Sequence, residues 1–480
     1  GDLYSYGIWT PWAVDGVAVA FGASTRRDSL VFAPDETALS GDLSGFGGAS
    51  TAIDQSIRVN EYFAEARVPL VQRQPLAHDV SLELGYRYSD YSSGITADTY
   101  KVGLNWSPVE QFRLRASYQM AIRAPTLIEL FTPQSVTNTS SIGTDPCAPT
   151  IGAGNTLIPA VATLAQCQNT GVTPAQYGNG GSTNTIQQCI SNQCSISLGG
   201  NPTLTAEQAK TFSVGFTFRP VDNFLDGLIM SVDYYRIELS NLVGTFPVAV
   251  AMDRCLSTGQ AAYCSLIHRG PNGSITGQTL TAGYMIGTNV NVGAGRSTGI
   301  DVQGSYALPL SRFGWDNLGR LQFNLAGSYL LGSETTLFAG APTYDCAGLY
   351  GKDCQTLNPR WRHNARVTWM APMNLQFSLN WRYFGGTRWE DTTTEPLIGI
   401  GATPPIDRSL PARSYLDVAA QWTFRDRYVI RSGINNILDQ DPPLVATGGA
   451  QAIAGTGLPN TYTAYDLVGR RMFVSVSATF

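Results

Sequence analysis

The stretch that decides the fold is the last one, Thr461-Tyr-Thr-Ala-Tyr-Asp-Leu-Val-Gly-Arg-Arg-Met-Phe-Val-Ser-Val-Ser-Ala-Thr-Phe480. Read back from the end, Phe480, Ala478, Val476, Val474 and Met472 alternate with the mostly small polar Thr479, Ser477 and Ser475. Period two makes a strand with two unlike faces. The last strand of a β-sandwich shows the same alternation. A strand that ends on a terminal Phe fits an outer-membrane barrel better, because aromatic residues sit at the membrane interface and apolar ones meet lipid. Met472, Val474, Val476, Ala478 and Phe480 therefore read as an outer-membrane insertion signal.

The same two-faced pattern recurs upstream. Its cleanest case sets Val80, Leu82, Leu84, Tyr86 and Tyr88 against Ser81, Glu83, Gly85, Arg87 and Ser89. Further strands are expected over Leu3–Thr10, Val17–Phe32, Asn60–Leu70, Tyr100–Trp106, Phe112–Met120, Phe212–Phe218 and Leu228–Tyr234. Ile300–Tyr306, Leu321–Tyr329, Ala365–Trp369, Leu375–Tyr383, Leu416–Phe424 and Tyr428–Gly433 follow. With the terminal strand this gives about fifteen. Short turns alternate with long loops rich in Thr, Asn, Gly and Ser, the largest near Thr132–Thr203, and no βαβ rhythm appears. The fold class is thus all-β, a transmembrane antiparallel β-barrel. An odd strand number cannot close such a barrel, and open edges would leave backbone groups unpaired in lipid. The chain, which begins Gly1-Asp2-Leu3-Tyr4 as if in mid-strand, is therefore expected to be part of a larger barrel.

Composition agrees. Of 480 residues 43% are hydrophobic and only 14% charged, with 50 Gly, 22 Tyr and 9 Trp. The charged share lies well below that of ordinary soluble domains. Small polar side chains suit a hydrated lumen, and aromatics suit interfacial girdles. A net charge of -5 argues against nucleic acid as a partner. No apolar run is long enough for a membrane helix, and a barrel needs none.

Eight cysteines, Cys147, Cys167, Cys189, Cys194, Cys255, Cys264, Cys346 and Cys354, fall in four close pairs inside loop segments. An even count with local spacing points to disulfides made in an oxidising compartment, paired in sequence order. Metal binding is the other reading. It is disfavoured by the lack of a CxxC spacing and by the presence of only three His: His78, His268 and His363.

Several segments resemble those of TonB-dependent outer-membrane receptors. Arg115-Ala-Ser-Tyr-Gln-Met-Ala-Ile-Arg-Ala-Pro-Thr-Leu-Ile-Glu-Leu-Phe131 is similar to a strand running into that family's loop entrance, and Gly199–Leu204 with Glu207 to the return from it. Gly299-Ile-Asp301, Asn358–Arg362, Gly433–Pro442, Tyr465-Asp466 and Gly469-Arg470 carry the likeness over nearly the whole chain, in order. The resemblance implies a plugged barrel of about 22 strands. Residues 1–480 would be its C-terminal portion, with the plug domain, its TonB-contacting motif and about seven first strands supplied by the same precursor or by a separate chain. It also implies membrane lipid, the TonB complex and a bulky nutrient as partners. The nutrient would be a ferric siderophore, a corrinoid, an oligosaccharide or a peptide, taken up actively.

No enzyme constellation is present: there is no GxSxG elbow and no HExxH. Gly293-Ala-Gly-Arg-Ser-Thr-Gly299 resembles a phosphate loop but opens no helix. Ligand contacts are expected in loops and lumen wall. Arg123, Arg296, Arg382 and Arg388 are candidates for anionic groups, and Tyr177, Tyr263, Tyr344, Tyr350 and Trp389 for stacking on sugars or aromatic rings. The bland reading of the same residues is ion pairing with lumen carboxylates and loop packing. No cofactor is expected, apart from Ca2+ at Glu390, Asp391 and Glu395, which otherwise form a solvated loop rim. A passive diffusion porin and a secreted β-rich enzyme or adhesin are the competing functions.

Overall fold

The computed structural model describes all residues except 41–48, 140, 222, 278, 337–342, 352–353, 355, 391–407, 426, 446–460 and 480. Alternating side chains build β1 (Ala18–Phe32), β2 (Ile53–Gln74), β3 (Ala77–Tyr91), β4 (Thr96–Val109) and β5 (Phe112–Arg123). After a long loop come β6 (Glu207–Phe218), β7 (Leu228–Ser240), β8 (Ala294–Pro309) and β9 (Arg320–Thr336). β10 (Trp361–Ala371), β11 (Leu375–Phe384), β12 (Arg413–Phe424), β13 (Tyr428–Asn435) and β14 (Arg471–Ala478) complete the path. Each strand pairs antiparallel with the next in one continuous sheet, and the two-residue strand Tyr344–Asp345 pairs onto β9.

The strand expected over Leu3–Thr10 does not form. Tyr4–Tyr6 make a 3-10 turn, Gly7 follows at φ 78°, and the Ile8 N–H donates back to the Leu3 carbonyl. The turn brings the Tyr4 and Trp9 rings to 5.4 Å, while Tyr6 and Ile8 stay exposed. Isolated bridges, Asp2 to Ala18 and Trp12 to Val71, tie this segment to the sheet among the described residues. The sheet path therefore holds fourteen strands, and no pairing joins β1 to β14 among the described residues.

The two faces separate as the alternation requires. Outward, Tyr62, Leu84, Tyr86, Val102, Leu104, Val214, Leu379 and Val474 are all exposed, as a lipid-facing surface must be. A soluble sheet this apolar would aggregate. Inward, Lys101 pairs with Glu83 at 2.8 Å, and the Arg115 Nε donates to Asp233 at 2.7 Å. Aromatic pairs ring the outer surface: Phe112–Phe216, Tyr306–Phe323 and Trp369–Phe377 near the short turns, and Tyr100–Tyr118 and Trp381–Tyr383 nearer the long loops. Indole N–H groups pin two turns: Trp106 donates to the Leu76 carbonyl at 2.9 Å and Trp369 to that of Leu318 at 2.7 Å. These rings sit where an amphipathic aromatic is most stable, half in lipid and half in contact with polar backbone.

All the long connections lie at one rim. Of the residues expected to act as an insertion signal, Phe480 lies outside the described residues, and Met472, Val474 and Val476 are exposed on β14.

Candidate functional site

The mouth of the sheet is built on one arginine. Arg123 closes β5 directly opposite Glu207, which opens β6. Its Nε donates to Glu207 at 2.6 Å, and its two terminal nitrogens reach Glu129 at 3.0 and 3.1 Å. Glu129 belongs to the short helix Leu127–Phe131, where Thr126 and Glu129 form a reciprocal capping box. Burial raises the Glu129 carboxyl, but the Arg123 guanidinium and the Thr126 N–H and hydroxyl outweigh it, and the net shift is downward. Glu207 also accepts from the Val243 N–H at 2.7 Å, so one guanidinium organises the start of two long loops.

Those loops, residues 124–206 and 241–293, fold together. Strands Ser135–Thr139, Cys194–Leu198, Tyr284–Ile286 and Ile267–His268 form one four-stranded sheet, and the parallel pair Met285–Ile196 joins the two loops. Helix Val248–Thr258 buries Val248, Ala251, Met252 and Cys255 against that sheet. The signal was legible: Pro247 precedes an i, i+3, i+4, i+7 apolar stripe, and Gly259 ends it in the left-handed conformation. Disulfides Cys147–Cys167, Cys189–Cys194 and Cys255–Cys264 staple the module, and Cys346–Cys354 closes the next loop. Inside lies an ion pair missed in the sequence: Arg269 donates to Asp145 at 2.6 Å, with side chains only 4% and 0% exposed. Arg269 also donates to the Thr170 hydroxyl and the Gly273 carbonyl, and Asp145 accepts the Cys147 N–H. Its partners are far apart in sequence, and no local pattern announces it.

Across the mouth, Arg382 donates to both oxygens of Asp417 at 2.8 and 2.9 Å and to Asp466 at 3.0 Å. Asp417 accepts from the N–H of fully buried Asn436, whose side chain closes a ring with Gln440. Asp439 accepts from the Arg470 N–H at 2.8 Å and so fastens the end of β13 to the start of β14. Above this knot Tyr350, Trp389, Leu410, Tyr415, Tyr462 and Tyr465 form an apolar cluster.

The expected ligand residues are distributed as follows. Arg123 and Arg382 are engaged as above, and Arg296 is paired with Glu334. Arg388 is exposed in Thr387–Trp389. Tyr263, Tyr344, Tyr350 and Trp389 are buried in loop packing, and the Tyr177 hydroxyl donates to the Ala162 carbonyl. Glu390 is fully buried and accepts the Cys354 N–H, whereas Asp391 and Glu395 lie outside the described residues. Among the described residues no group of three or more His, Cys, Asp or Glu is placed to hold a metal. Gly293–Gly299 leads into β8 and not into a helix.

The inner wall offers a groove of about 570 Å3 over β5–β10, lined by Thr217, Ser231, Gln303, Ser305, Asn324 and Asn364 together with Arg115 and Arg366. It continues through Gln303, Ala326 and Asn364 into a second hollow of about 450 Å3 beside Arg382 and Tyr415. These amide and hydroxyl residues follow from inward parity on their strands, a signal available in the alternation once the face is assigned.

Comparison with known proteins gives one family. The β-barrel family described as TonB dependent receptor-like matches residues 2–437. No curated protein matches the sequence. Among solved structures, a mutant ferric enterobactin receptor of Pseudomonas aeruginosa in complex with enterobactin superposes with a TM-score of 0.59 at 17% identity, covering 97% of this chain and 52% of that one. The siderophore receptor PirA of Acinetobacter baumannii gives 0.56 at 13% identity, covering 98% and 53%. The chain spans about half the length of the solved structures it matches, and at these identities the likeness shows the fold. Two-faced strands, loops gathered at one rim and the family match lead to one conclusion: the chain belongs to the TonB-dependent receptor β-barrel family of the outer membrane.

Proposed function

We propose that the chain forms the C-terminal wall and outer loops of a receptor for TonB-dependent active uptake of a bulky nutrient. The observation that carries this reading is the mouth. Two loops fused into a disulfide-stapled module stand over a polar inner wall, a costly structure for a pore that only has to stay open. In this reading β1 and β14 pair with further strands, because neither edge is satisfied within the described sheet and lipid cannot satisfy it. A separate plug fills the lumen and couples it to TonB.

Planar-bilayer conductance of the native assembly tests the reading. A plugged receptor shows almost no steady current until the plug is loosened by denaturant. A large steady conductance in native buffer identifies a passive porin instead. Intact mass spectrometry of the same detergent-extracted complex is expected to show polypeptide beyond residues 1–480, either continuous with them or as a second chain.

A further inference from the structure

Loop charge narrows the nutrient. The segments joining strands at the long-loop rim are 33–52, 92–95, 124–206, 241–293, 337–360, 385–412 and 436–470. They carry fifteen Asp and Glu against seven Lys and Arg. Residues 124–206 contain no Lys or Arg at all, and residues 241–293 contain only Arg254 and Arg269. Arg269 is sealed inside the module on Asp145. At the base of the mouth Arg123 is shared by two glutamates, and Arg382 by two aspartates. Of the fifteen rim carboxylates, Glu129 is committed to Arg123, Asp466 to Arg382, Asp439 to Arg470 and Asp145 to Arg269, and Glu207 at the head of β6 shares Arg123. The rim is thus acidic overall, while the arginines at its base and inside the module are spent within the protein. Around them the two-loop module is rich in Asn, Gln, Ser and Thr.

The inner wall repeats the theme. Its groove is lined by Gln303, Asn324, Asn364, Ser231, Ser305 and Thr217. Amides and hydroxyls both donate and accept, which matches a ligand whose own groups do both. A polyanionic chelate needs the reverse, several convergent guanidinium or ammonium groups freed of carboxylates. Arg115 is held by Asp233, which leaves Arg366 in this groove and Arg362 in the adjoining hollow as guanidiniums with no carboxylate bonded to them among the described residues. Two forks in separate hollows, the second with Asp301 also in its wall, bond hydroxyls and do not make a polyanion site.

We infer that the ligand is an uncharged, hydroxyl-rich molecule of the oligosaccharide class, met first by acidic, Asn- and Thr-rich loops that repel a polyanion and then by the amide–hydroxyl strip on the lumen wall. This inference rests on the receptor reading above.

The test uses the full native receptor in outer-membrane vesicles, titrated with maltohexaose, xylohexaose and cellohexaose and, separately, with a trianionic ferric tris-catecholate chelate. At least one neutral oligosaccharide is expected to bind. Its affinity should change less than about twofold between low and high salt, because an uncharged ligand is not screened. Joint replacement Asn324→Ala and Asn364→Ala should weaken that binding about tenfold, the loss of one or two hydrogen bonds, with the heat-modifiable folded band unchanged. Tight, salt-sensitive binding of the chelate overturns the inference, and so does a lack of binding by all three oligosaccharides. Uptake by energised cells separates the two levels. A neutral sugar that binds but is never accumulated leaves the ligand class standing and defeats the transport reading. Accumulation of the chelate does the opposite.

Discussion

Asp145 and Arg269 show how much one residue can hold. Their side chains are sealed from water, so Asp145→Ala strands a buried guanidinium, at a cost of about 3–5 kcal/mol to the loop module. Protease added to intact cells should then nick residues 124–206, while β-sheet circular dichroism stays unchanged. Resistance equal to that of the parent would show that the pair anchors nothing. Tyr462 and Tyr465 present the converse. Both hydroxyls are buried and find no hydrogen-bond partner among the described residues. Tyr462→Phe should therefore stabilise the fold by about 1 kcal/mol, read as a higher melting point of the folded band, since it removes an unpaired polar atom and keeps the ring. Burial also pushes both phenols well above the ordinary tyrosine value. A folded pKa above the unfolded one gives stability that is complete below about pH 10 and lost as pH rises beyond it. Absorbance at alkaline pH should accordingly show these two tyrosines ionising last, together with loss of the loop cluster.

At the scale of elements, the face assignment makes a paired prediction. Leu379 points to lipid and Ser378 to the lumen, at the middle of β11. Leu379→Arg should cost about 2–4 kcal/mol and deplete folded barrel, whereas Ser378→Arg should be nearly silent. Equal effects would mean that the faces are reversed or that the sheet is not in a membrane. Replacing Cys147 and Cys167 with serine opens a loop of separation 20 and should weaken the module by about 3 kcal/mol without unfolding the strands. The fourteen strands were legible because each must satisfy two solvents at once, and Leu82 beside Glu83 admits one period only. Leu3–Thr10 misled because Tyr4, Tyr6 and Ile8 alternate equally well, while Gly7 decides the backbone. The loop sheet escaped notice for another reason. Ser135–Thr139 and Cys194–Leu198 are short, mostly polar, and held by partners more than fifty residues away. The groove was half legible: inward parity nominates Asn324 and Asn364, but only the register sets Asn324 between Ser305 and Arg366 and Asn364 in line with Ala326 and Gln303.

For the molecule as a whole, the open question is the pair of edges. Backbone groups on β1 and β14 left in lipid would each cost several kcal/mol. In the native membrane assembly their amides should therefore exchange with deuterium as slowly as those of β3, which is paired on both sides. Fast exchange along both edges would show that nothing covers them and would remove the reason for placing further strands there.

The fusion of residues 124–206 with 241–293 through the parallel pair at Met285 and Ile196 also decides how this rim can be recognised by another protein. The surface of the module belongs to neither segment as a linear sequence. An antibody or phage protein selected on the oxidised receptor recognises a composite patch, and a synthetic peptide copied from either loop will neither elicit it nor compete with it. Immune or phage pressure on such a surface acts on two distant stretches together, so a change that escapes binding in one must still fit the other.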